Sequence, residues 1–130
     1  MGAWGTGSFE NDDAKNWLAE LVLIVPDDLT QILLRAADDP GYLEAPASRI
    51  VVAAAEVIAA LNGSPAQEVP PEIVQWTTNR QASTSELKTL ALRALERVRK
   101  NSELKDLWLE ADGLNDWIAA IQDLQTRVGR

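Results

Sequence analysis

Cysteine and histidine are both missing from this 130-residue chain. Without cysteine there is no disulfide framework, no thiolate nucleophile and no sulfur ligand for a metal. Without histidine the commonest general base and the commonest transition-metal ligand go together. Ser-His-Asp and Cys-His mechanisms are therefore excluded. Zinc, haem and iron–sulfur sites lose their usual ligands, and no cofactor is implied. Phenylalanine and tyrosine occur once each, so the five tryptophans carry nearly all the aromatic bulk. No run approaches the ~18 consecutive apolar residues of a membrane span. The N-terminus has neither the basic region nor the apolar core of a secretory signal, so a cytoplasmic location is expected.

The composition is that of an ordinary globular protein, 46% apolar and 25% charged. The length suits one domain over 1–130. The net charge is −8. Such a surface repels phosphate backbones, so nucleic acid is not expected as a partner. A basic protein or a cation suits the field better, although acidity also serves solubility alone. The charge is uneven. Residues 1–44 carry nine acids against Lys15 and Arg35, whereas residues 81–100 carry five bases against Glu86 and Glu96. The two regions either face each other inside the fold or form separate patches.

The first seventeen residues, MGAWGTGSFENDDAKNW, are the least ordinary. Three glycines predict an extended arm over 2–9, with Trp4 and Phe9 buried. Asn11 or Asp12 then caps a helix over about 12–24, with Ala14, Trp17, Leu18, Leu21, Val22 and Val25 on its apolar face. Pro26 ends it. Further helices are predicted over about 28–37, 47–62, 71–79, 85–100, 102–111 and 114–128. Asp38-Asp39-Pro40-Gly41, Asn62-Gly63 and Asp112-Gly113 mark breaks. The third helix, IVVAAAEVIAAL, is apolar nearly all round and belongs at the centre. No alternating pattern demands a strand. The expected fold is all-α, one compact bundle of six or seven helices preceded by the glycine-rich arm.

Two groups could carry chemistry. Glu10, Asp12 and Asp13, with Asn11, could bind a hard cation through oxygens. Capping and complementing the positive end of a helix explains the same residues. Glu56 lies within the most apolar helix. It is a structural anchor receiving arm amides or the Trp4 indole, an exposed residue on that helix's one wet side, or a catalytic carboxylate. The candidate binding residues are thus Trp4, Glu10, Asp12, Asp13 and Glu56. No residue is singled out as catalytic and none as a metal ligand. The bases on the 85–100 helix suit a solvated face or an anion site. Ser85 and Lys88 match a Ser-x-x-Lys spacing, which a capped helix start explains.

The opening MGAWGTGSFENDDAKNWLAEL resembles the signature of an uncharacterised, mostly bacterial family, domain of unknown function 4259. Met1, Gly2, Ala3, Trp4, Gly5, Gly7, Phe9, Glu10, Asn11, Asp12, Asp13, Ala14 and Trp17 carry the likeness. The AAAEVIAALNG segment and the closing SELKDLWLEADGLNDWIAAIQDL extend it over nearly the whole chain. Asn16 stands where an aspartate commonly precedes the tryptophan, which favours capping over metal binding. The resemblance implies no activity.

The expected function is that of a small acidic, non-enzymatic interaction protein that captures a basic protein, as an immunity or antitoxin-like protein does. The alternative is a carboxylate-based, metal-dependent hydrolase using the N-terminal acids.

Overall fold

A computed structural model describes Ala3 and residues 5–130. Among the described residues seven helices follow one another: α1 (Asp12–Ala19), α2 (Pro26–Asp38), α3 (Ala45–Leu61), α4 (Pro71–Thr77), α5 (Ser85–Lys100), α6 (Glu103–Glu110) and α7 (Leu114–Gly129). Among the described residues there is no strand, only isolated bridges from Ala3 to Asn11 and from Leu43 to Ser102. The fold is all-α, as the periodicity predicts.

The central place of α3 follows from its composition. It touches each of the other six helices. Ala53, Ala54, Ala55, Val57, Ile58 and Ala59 are fully buried. Their short side chains let neighbouring backbones come close on several sides. Helix α5 lies between α2 and α7, and α1 and α4 pack on α3 and on each other.

Most boundaries follow local chemistry. Thr84 caps α5 by accepting from the Leu87 N–H at 3.2 Å, and Ser102 caps α6 by accepting from Lys105 N–H at 3.1 Å. Helix α3 ends at Gly63, whose φ of 90° lets the Ser64 N–H return to the Ala59 carbonyl at 2.8 Å. Gly113 has a different reason for being glycine. The positive φ belongs to Asp112, while a Cβ on Gly113 would fall 2.6 Å from the Trp108 ring.

The expected helix over 12–24 is shorter than predicted. It stops at Ala19, and a 3-10 turn follows over Leu21–Leu23. The Leu-Val-Leu-Ile-Val run contains three β-branched residues of modest helix propensity. The residue before Pro26 is also driven to extended backbone, and Val25 adopts φ −111° and ψ 162°. The Trp76 indole holds the turn by donating to the Ile24 carbonyl at 2.8 Å. Val22 and Val25, expected to face inward, are exposed, as is Leu23.

The arm also departs from expectation. Residues 5–10 are bent rather than extended, with the Glu10 N–H bonded to the Gly7 carbonyl at 3.1 Å. Phe9 is half-buried against the core. Trp4 lies outside the described residues. The remaining tryptophans are core: Trp17, Trp76 and Trp117 are buried, and Trp108 packs against the same cluster.

The acidic and basic regions meet in part. Arg93 pairs with Asp38 at 2.7 Å. Arg97 donates to the carbonyls of Ala36, Asp39 and Gly41, closing the C-terminal end of α2. Arg99 and Lys100 both hold Glu96. Lys88 donates to the Arg130 carbonyl at 2.6 Å. The basic face of α5 is thus largely engaged within the fold.

Candidate functional site

Glu56 is buried on α3, at 5% exposure, and cannot remain there unpaired. Arg127 of α7 supplies the counter-charge through both terminal nitrogens, Nη1 to Oε1 at 2.8 Å and Nη2 to Oε2 at 3.0 Å. Ser8 of the arm adds a third donor, its hydroxyl 2.6 Å from Oε2. Arg127 in turn donates through Nε to Asp123 at 2.9 Å and through Nη1 to the Ser64 carbonyl at 3.4 Å. Its bonds to Glu56 hold the guanidinium above its ordinary pKa, against the opposing effect of burial. One carboxylate thereby ties together the arm, α3, α7 and the connector after α3.

Of the three readings of Glu56, this arrangement matches the anchor, with a correction to its donors. Among the described arm residues the contact is the Ser8 hydroxyl, not an amide. The Gly7 N–H donates instead to Glu10 Oε1 at 3.0 Å. The Glu10 carboxylate folds back over the glycines, so a Cβ on Gly5 or Gly7 would fall 2.6 or 2.5 Å from it. That close approach is what both glycines permit.

The N-terminal acids do not converge. Glu10 faces its own turn. Asp12 is exposed at the start of α1. Asp13 accepts from Arg49 at 3.0 Å. Asn11 is the true cap, its Oδ1 accepting from the Ala14 N–H at 2.7 Å. Among the described residues no three His, Cys, Asp or Glu side chains gather to hold a metal ion.

A cleft of about 640 Å³ opens above the Ser8–Glu56–Arg127 cluster. The arm, α1, the connector, the start of α4 and α7 surround it. Glu10, Glu56, Glu68, Glu72 and Asp123 line it against Lys15 and Arg127. Glu56 and Arg127 cancel each other, which leaves Glu10, Glu68, Glu72 and Asp123 against Lys15, so the cleft is acidic. Its apolar lining comes from Phe9, Leu18, Val69, Pro70 and Pro71.

Sequence reasoning missed Ser8, Asp123, Glu68, Glu72 and Arg127. Arg127 left one clue. It stands between Leu124 and Val128, both buried, at a position that turns it partly toward the core. Nothing local connects it to Glu56, 71 residues away.

Among the described residues no helix is long and apolar enough to cross a membrane. No curated protein and no solved structure matches the chain. The opening motif from Gly2, the buried Glu56 helix, α6 and the start of α7 do lie within a match to one family model over residues 2–120, and the chain belongs to that family, the domain of unknown function 4259.

Proposed function

We propose that this chain is a non-enzymatic binding protein that captures a basic segment of another protein in the acidic cleft. The observation that carries this reading is the cleft's lining: once Glu56 and Arg127 cancel, four carboxylates face one base, Lys15. A concave acidic site focuses the field of a chain whose net charge is −8, so a cationic segment approaches it favourably. Lys and Arg side chains suit the site because their alkyl stems can lie on Phe9, Leu18 and Val69 while their charged ends meet the rim. The immunity or antitoxin-like role belongs to this class of function.

Recovery of partners from the native host on the tagged full chain tests the reading. A basic protein should be retained in stoichiometric amount. It should be released by raised salt and lost with Glu68→Lys and Glu72→Lys, two exposed positions. Recovery of no such protein, or retention indifferent to those substitutions, would overturn the proposal.

A further inference from the structure

The acidic cleft does not end at α4. A second depression, of about 450 Å³, is also lined by Leu18 and Glu72 and continues between α1 and α4 past Ala19, Val22, Trp76 and Arg80. The two form one groove. At its far end the 3-10 turn presents Val22 and Leu23, 81% and 79% exposed, with Val25 and Val74 half exposed beside them. Single exposed apolar residues need no explanation, but Val22 and Leu23 stand on a turn that packs against α4, which carries Val74, and Val25 follows two residues on, so the four form a patch.

We infer that the groove holds one continuous segment of a partner protein, basic where it crosses Glu10, Glu68, Glu72 and Asp123 and apolar where it reaches Val22 and Leu23. This rests on the function proposed above and adds the pattern of the segment. Charge complementarity selects the occupant. Exposed Glu20 and Asp27 extend the acidic rim around the apolar end. Arg80 interrupts it, yet its guanidinium stacks 4.2 Å from the Trp76 ring centroid and its Nε donates to the Trp76 carbonyl. A second copy of this chain fits poorly, because the bases of α5 are engaged with Asp38, Glu96 and backbone carbonyls. An anionic lipid surface is repelled by the same rim.

Three synthetic peptides of equal length, titrated into the 15N-labelled full chain, test this. One carries lysines in one half and leucines and valines in the other. One contains only lysine and serine, and one only leucine, valine and serine. The mixed peptide should bind about tenfold tighter than the lysine–serine peptide. It should shift amides over both 66–72 and 18–25. Val22→Ser with Leu23→Ser, at exposed positions that leave the core intact, should remove that advantage and leave lysine–serine binding unchanged. Equal affinity for the first two peptides would overturn the inference and leave the acidic cleft as a binding site. Binding of neither would overturn both. Tightest binding of the peptide without lysine, or a dimer of the free chain abolished by Val22→Ser with Leu23→Ser, would assign the groove to another occupant.

Discussion

Arg127 engages both oxygens of Glu56 while Asp123 and the Ser64 carbonyl take its remaining contacts, so the two partners depend on each other unequally. Remove Arg127, and among the described residues Glu56 keeps only the Ser8 hydroxyl in a buried site. Remove the charge of Glu56, and Arg127 keeps Asp123. Breaking a buried pair from one side costs about 3–5 kcal/mol, whereas replacing both members by apolar groups is often neutral. Arg127→Met should therefore fall in that range by urea unfolding. Glu56→Gln should cost less, and Glu56→Leu combined with Arg127→Met should recover most of the loss. Equal losses from the two single variants would contradict the asymmetry.

Gly113 and Gly7 provide a second comparison. A methyl at Gly113 meets the ring of Trp108, a bulky side chain packed against the core. Gly113→Ala should cost about 1–3 kcal/mol, as overpacked sites do. A methyl at Gly7 meets the carboxylate of exposed Glu10, which can swing into solvent at the loss of one hydrogen bond. Gly7→Ala should cost less, and in a Glu10→Ala background its cost should largely vanish. Thermal denaturation of the four variants decides the matter.

Tyr42 is the only tyrosine, so its ionisation can be read directly from phenolate absorbance. Its hydroxyl donates to Asp106, and that bond pushes its pKa up to about 12. A group whose folded pKa is raised contributes stability below its unfolded pKa and loses it as pH rises through the folded value. The Tyr42–Asp106 contact should therefore weaken as pH rises from about 10 to about 12. In Asp106→Ala the absorbance titration should return toward the ordinary tyrosine range. A titration unmoved by that substitution would show the bond to be absent in solution.

Glu96 gives the opposite sign. Hydrogen bonds from Arg99, Gln125 and Lys100 lower its carboxyl from 4.5 to about 2. Its contribution is present above the unfolded value and lost as pH falls through the folded one. The side chain is 39% exposed, so solvent screens the effect and the contribution is small. Glu96→Gln should be slightly less stable than the parent at neutral pH. That difference should shrink as pH falls from about 4.5 toward 2. A difference independent of pH would assign the stabilisation to packing.

What could be read from the sequence was local. The α5 bounds of 85–100 match because Thr84 supplies a cap and the apolar stripe runs unbroken to Val98. The central α3 was legible because a helix apolar all round must be covered on every side. The turn at Leu21–Leu23 was not, because Val22 and Val25 also satisfy helical spacing. Only Pro26 and the distant Trp76 indole decide against it. The cleft was legible least of all. Its lining comes from five separate segments, and its acids Glu10, Glu68, Glu72 and Asp123 are brought together only by the fold.

The order in which a ribosome makes this chain gives the Glu56–Arg127 pair a further meaning. Glu56 emerges 71 residues before its counter-charge. Until α7 arrives, closing the core around α3 would enclose a carboxylate answered, among the described residues, by Ser8 alone. Final compaction is thus expected to wait for α7, which makes the turn carrying Arg127 a checkpoint on closure of the core. A chain stopped at Gln122 should retain helical circular dichroism but lack the dispersed methyl resonances of fixed tryptophan contacts. Native-like dispersion in that fragment would remove the checkpoint.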